Sequence, residues 1–126
     1  MEKKIVATAA APAAIGPYSQ AIVINGFVYT SGQLPIDPAT GAFPEGIEAQ
    51  TRQSLTNVKA ILEEAGTSMK NVIKTTVFLS DMNHFAAMNG VYATFFEEGS
   101  YPARSAVEAA RLPKDALVEI EVVAHL

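Results

Sequence analysis

The chain has 126 residues, 49% of them hydrophobic and 17% charged, which is globular composition and excludes a disordered chain. Its 9 Lys and Arg are scattered among 13 Asp and Glu, and the net charge of -4 argues against a nucleic-acid partner, which needs a clustered basic surface. Cysteine is absent, which removes disulfides, thiolate catalysis and cysteine-held zinc together. No apolar run approaches the roughly 20 residues that span a bilayer, and no signal-peptide core is present at the start. The expectation is a soluble, cytoplasmic chain with no membrane partner, folding as a single domain over residues 1–126.

In chain order, residues 3–8 read as a short strand, followed by an Ala/Pro-rich loop through Pro17. Residues 21–24 and 27–32 flank Asn25-Gly26, the dipeptide that supplies the positive φ angles of a two-residue hairpin. The proline-rich stretch "LPIDPATGAFPEG" is a loop. From Ile47 the period becomes helical, with Thr51, Leu55, Val58, Ile61, Leu62 and Ala65 on one stripe and Gly66 placed to end it. Residues 72–79 are β-branched and predict a strand. A second helix follows, capped by Asp81 or Asn83, with Phe85, Met88, Asn89, Tyr92, Phe95 and Phe96 on its stripe. Residues 105–110 and 117–124 supply the last two strands. The order βββαβαββ predicts a two-layer α+β domain, with one mixed sheet and both helices on one face.

Two helices leave the other face of such a sheet uncovered. In the last strand Val118, Ile120, Val122 and Ala124 alternate with Leu117, Glu119, Glu121 and Val123, and only the first set suits a helix-covered core. The second face mixes apolar residues with carboxylates, which predicts a homo-oligomer packed through its sheets.

Chemistry-bearing residues are few. His84 and His125 belong to no ligand or catalytic motif, and no HExxH, GxSxG, GxGxxG or phosphate-loop pattern occurs. Ser31-Gly32 at a strand end can present a hydroxyl and a backbone N–H to a ligand, or serve simply as a turn. Arg104 offers a planar fork suited to a carboxylate, yet an ion pair with Glu108, Glu119 or Glu121 competes with that role. Asn89 reads equally as a buried amide satisfying a loop, and Tyr18 as an aromatic covering a sheet edge.

The fragments "IGPYSQA", "TSGQLPIDPATG", "NVKAILEEAG", "VIKTTVFLSD", "NGVYATFF", "YPARSAVEAARLP" and "VEIEVVA", in this order from about Ala13 to the C-terminus, resemble the RidA/YjgF family of imine deaminases. The resemblance implies a chorismate-mutase-like fold and a homotrimer with clefts between subunits. It also implies a substrate site in which Arg104 grips a carboxylate and Glu119 attends the attacking water. Tyr18, Ser31, Asn89 and the backbone of Gly32 would line that site. Relatives often carry a cysteine two residues after the arginine; here the position is Ala106, so no thiol is essential.

The implied reaction is hydrolysis of 2-imino or 2-enamino acids, such as 2-iminobutanoate and 2-iminopropanoate (the tautomer of 2-aminoacrylate), to 2-keto acids and ammonia. This would protect pyridoxal-phosphate enzymes from such intermediates. A protonated C=N carbon is already electrophilic, so the reading calls for no cofactor, metal or covalent nucleophile. Glu121 shares the face of Glu119 and competes for the role of base. Two other functions stay open on sequence: a non-catalytic module binding small keto or amino acids, and a ribonuclease or translation inhibitor.

Overall fold

Asn25 and Gly26 both adopt positive φ, 51° and 81°. They form the tight turn that folds β2 (Ala21–Ile24) back onto β3 (Phe27–Thr30). The computed structural model describes residues 2–126. β1 (Lys4–Val6) adds antiparallel to β2 and is shorter than its sequence suggests. The Gln20 amide takes over both backbone groups of Thr8, accepting from its N–H at 2.7 Å and donating to its carbonyl at 3.1 Å, so pairing stops there.

α1 (Ile47–Ala65) ends as expected at Gly66. Gly66 sits at φ 95°, its N–H bonded to Glu63 O while the Thr67 N–H reaches Leu62 O, the paired closure that a left-handed C-terminal glycine allows. β4 (Val72–Leu79) then leads into a 3-10 turn capped by Asp81, whose carboxylate accepts from Asn83 N–H at 2.9 Å. Asp81 therefore caps this turn, while the α-helix that follows starts after His84 with no side-chain cap, so neither Asp81 nor Asn83 caps that helix. α2 (Phe85–Tyr92) is only 8 residues long and tightens into a 3-10 turn over Ala93–Phe95. Phe95 and Phe96 leave the α-helix but still pack on the core.

β5 (Ala103–Glu108) starts and ends two residues earlier than its sequence predicts, directly after Pro102, and β6 (Val118–His125) runs one residue later at each end. Arg104 therefore lies inside a strand and not at its mouth. The six strands form one sheet in the order β1-β2-β3-β6-β4-β5, mixed because β4 and β5 are parallel and the other pairs antiparallel. This is the α+β architecture expected, with α1 and α2 on one face.

Under the helices, Val118, Ile120, Val122 and Ala124 of β6 meet Leu55, Val58, Ile61 and Leu62 of α1, all essentially without solvent exposure. Each Val, Leu or Ile among them stabilises the fold by roughly 1.5–3 kcal/mol. On the opposite face an apolar row of Ile5, Ile22, Tyr29 and Val123 crosses four strands in register, with Ile5 and Tyr29 exposed. Among the described residues, no helix is long and apolar enough to cross a membrane.

Candidate active site

Arg104 is opposite Thr75 in the β4–β5 register, and Thr75 is fully buried with its hydroxyl 2.7 Å from the Tyr92 OH of α2. Side chains alternate along a strand, so Arg104 projects to the helix face. There its guanidinium lies over the rings of Tyr92 and Phe85, 4.8 and 5.3 Å from their centroids, and Nη1 donates to Asn89 Oδ1 at 2.6 Å. Two aromatic faces stabilise a cation by about 0.5–1 kcal/mol each at partly exposed sites. Burial pushes the Tyr92 phenol up, more than the Thr75 bond and the Arg104 charge pull it down, so the seat stays neutral.

No carboxylate approaches Arg104 within ion-pair distance among the described residues. Glu108, on the same strand, accepts instead from Met82 N–H at 2.8 Å. Arg104 and Asn89, with Tyr92, Ala93, Tyr101 and Pro102, line a cavity of about 450 Å³. This arrangement is a held cation whose partners are neutral, with guanidinium hydrogen-bonding capacity to spare.

Glu119 belongs to the other face. It is opposite Phe78 in β4 and alternates with the buried Val118 and Ile120. Its carboxyl is packed against Gly32: a Cβ at that position would lie 2.7 Å from Oε2 and 2.9 Å from Cδ. Desolvation, with a smaller push from the Glu121 charge, holds the Glu119 carboxyl above the ordinary carboxylate range. Glu119 lines a cavity of about 420 Å³ with Tyr18, Ser31 and Gly32, beside Gln20, Gln33, Leu34, Ile36 and Lys114. Glu121 is exposed and does not line it. Ser31 is fastened by its hydroxyl to Ser19 O at 2.6 Å and by its N–H to Gln20 O at 2.9 Å, and Tyr18 is about half exposed.

The candidate residues thus form two groups: Tyr18, Ser31, Gly32 and Glu119 in one cavity, Asn89 and Arg104 in another. Through the β4 registers, Arg104 and Glu119 are two strands and three residues apart, roughly 14 Å between Cα atoms by strand geometry, and they face opposite ways. Within one chain they do not meet. Sequence reasoning missed the aromatic seat, although Phe85, Asn89 and Tyr92 already shared one helical stripe. It also missed Lys114, carried to the cavity wall by a turn in which Lys114 and Asp115 both take positive φ (56° and 57°). His125 bonds the carbonyl of Leu126, His84 lines neither cavity, and no metal-binding cluster occurs among the described residues.

Known proteins match this chain over nearly its whole length. The sequence model of the family described as Endoribonuclease L-PSP matches residues 8–126. A RutC family protein of Synechocystis is 57% identical over 128 residues, covering 100% of this chain and 98% of its own. A 2-iminobutanoate/2-iminopropanoate deaminase of Salmonella typhimurium is 55% identical over 123 residues, 96% of each chain. The crystal structure of the YjgF gene product of Escherichia coli superposes with a TM-score of 0.92 at 50% identity, covering 97% of this chain and 98% of that one. On these matches, the chain belongs to the Endoribonuclease L-PSP family, the RidA/YjgF group that its motifs resemble.

Proposed function

We propose that the protein hydrolyses small 2-imino acids, and their 2-enamino tautomers, to 2-keto acids and ammonia. The observation that carries this reading is Arg104, a guanidinium seated on two rings beside a neutral amide, with no acid to neutralise it. Such a group is a receptor for a carboxylate, and each charge-assisted bond to it contributes about 1.5–3 kcal/mol. The name of the Salmonella relative supports the substrate class.

Anchored by its carboxylate, a 2-imino acid presents an electrophilic C=N carbon at a fixed distance from Arg104. With the imine nitrogen protonated, Glu119 accepts a proton from water as the oxygen–carbon bond forms and the C=N electrons move to nitrogen, leaving a neutral carbinolamine. The same carboxyl returns that proton to nitrogen. It then takes the hydroxyl proton as the C–N bond breaks and the carbonyl forms, and passes it to the departing ammonia, which leaves as ammonium. A base whose affinity for protons is raised by burial suits both steps, and such proton transfer contributes about 10²–10⁴-fold.

Because the cation and the acid of one chain face opposite sides of its sheet, each site needs Arg104 from one copy and Glu119 from another. A cyclic homotrimer through the exposed sheet faces supplies three such clefts. Ribonuclease action is less well supported, since the net charge is -4 and no basic patch accompanies the candidate groups.

The test is complementation. Arg104→Ala and Glu119→Gln proteins, each inactive in ammonia release from freshly generated 2-iminobutanoate, are denatured together and refolded. Mixed trimers regain wild-type clefts, so activity returns. If the mixture stays inactive while mixed oligomers are demonstrated, the shared site is wrong.

A further inference from the structure

α1 carries a second stripe that its apolar period does not explain. Gln50, Ser54 and Asn57, at i, i+4 and i+7, are buried, Ser54 and Asn57 completely. Buried polar side chains are destabilising unless each finds a partner. Ser54 Oγ donates to Gln33 O at 2.7 Å. The Asn57 amide donates to Leu34 O at 3.1 Å and Ile36 O at 2.9 Å, and its oxygen accepts from Gln53 at 2.9 Å. Gln50 donates to Pro44 O at 3.1 Å and accepts from Leu117 N–H at 2.9 Å.

The partners cluster around Glu119. Leu117 lies two residues before it at the entry to β6. Gln33 exchanges backbone bonds with its neighbour Ile120, at 2.8 and 3.3 Å. Gln33, Leu34 and Ile36 line the Glu119 cavity. Beyond the cavity the same loop holds itself together: Asp37 O accepts from Thr40 and Gly41 N–H, and Asp37 N–H donates to Ala42 O. The helix clamps chiefly the part of the loop that forms the wall.

We propose that Gln50, Ser54 and Asn57 are positioning residues, holding from behind the loop and strand entry that fix the Glu119 carboxyl and keep water from it. A segment with Pro35 and Pro38 has no ladder to satisfy its carbonyls, and the helix side chains take the ladder's place. Apolar residues would pack this interface but would leave the Leu34 and Ile36 carbonyls without the Asn57 donor and the Gln33 carbonyl with only its 3.3 Å bond from Ile120 N–H. The inference rests on the reading of Glu119 as the acid that handles the hydrolytic water.

The test uses Ser54→Ala in the full-length protein, with three readouts: the pH profile of kcat/KM for ammonia release, the Glu119 carboxyl titration followed by carbon-13 NMR, and thermal unfolding. A loosened wall admits water, relieves the desolvation that raises the Glu119 carboxyl, and moves both the acidic limb and the titration to lower pH. The expected loss in kcat/KM is on the order of tenfold, less than the hundredfold of a misplacement of about 1 Å. Asn57→Leu keeps the volume and adds no charge but loses both donors, and shifts the titration further if it folds; otherwise Ser54→Ala decides. A lower melting temperature with unchanged pH profile and titration overturns the inference. If the wild-type protein releases no ammonia while Ser54→Ala still shifts the carboxyl titration, the hydrolytic reading fails, and what stands is that the helix side chains position the Glu119 carboxyl, without a role in hydrolysis.

Discussion

Gly32→Ala probes the acid without replacing it. The added methyl would sit 2.7, 2.9 and 3.0 Å from Oε2, Cδ and Cγ of Glu119, about 0.7 Å inside the 3.4 Å at which ordinary contact begins. Gly32 has no positive φ, so the backbone itself accepts alanine. The Glu119 backbone cannot retreat, because Val118 and Ile120 beside it are fully buried and Ile120 is bridged to Gln33. The carboxyl end must therefore swing aside, at an off-rotamer cost of about 0.5–1.5 kcal/mol. That lowers the melting temperature by only a few degrees, on the order of 2–8 °C per kcal/mol for domains of this size. The base, however, is displaced by close to an ångström, which costs on the order of a hundredfold in kcat/KM. Ammonia release and thermal unfolding are measured on the same sample, and repeated in a Glu119→Ala background. There the three atoms nearest the methyl are gone, so the stability loss should vanish. An equal loss in both backgrounds, or activity within about threefold of wild type, would refute the reasoning.

Arg104→Ala should lower kcat/KM by a hundredfold or more, on the order of the two charge-assisted bonds removed, while the lost ring contacts cost only about 1 kcal/mol of stability. Arg104→Lys should recover part of the activity, since an ammonium lacks the planar fork; a destabilised but active Arg104→Ala protein would contradict the anchor role. Glu119→Gln should stabilise the fold at neutral pH. The raised carboxyl binds more protons folded than unfolded, so wild-type stability is full below the ordinary Glu range and falls as pH rises through the folded value. Melting curves of Glu119→Gln and wild type should converge in acid; a gap that widens in acid would contradict this sign. Glu121→Gln, at an exposed position outside the cavity, should slow turnover less than Glu119→Gln, and the reverse ranking in ammonia release would reassign the base.

Much of the fold was legible because its strongest signals are local. The Asn25-Gly26 turn, the Gly66 stop and the alternation of β6 each follow from the conformational freedom or periodicity of a few adjacent residues. The limits of β5 were not, because Ala103, Ser105 and Ala106 give almost no contrast between faces. What sets its phase is parallel pairing with β4, a contact between distant segments. That phase decides that Arg104 joins the helix face while Glu119 takes the other. The candidate residues of both cavities were therefore named from the family motifs, but the face that Arg104 joins was not legible there. The α2 stripe likewise concealed a tightening from α to 3-10 winding, since both keep Phe95 and Phe96 on the core side.

The division has a chemical consequence. A guanidinium and a carboxylate on one face of one chain, within reach of each other, would pair; the acid would be pulled below its ordinary range and lost as a base near neutrality. Held on opposite faces, Arg104 keeps its capacity for an anion and Glu119 keeps a raised proton affinity. In the proposed trimer the two approach across a subunit boundary, and an empty cleft again lets the cation lower the acid. A substrate carboxylate bound to Arg104 cancels that charge and returns Glu119 to the basicity that burial gives it. Binding at the anchor thereby readies the base, so a 2-imino acid is favoured over an imine of similar size with no carboxylate. Discrimination between the two should appear in kcat as well as in KM, because the missing anion both loosens the substrate and weakens the base.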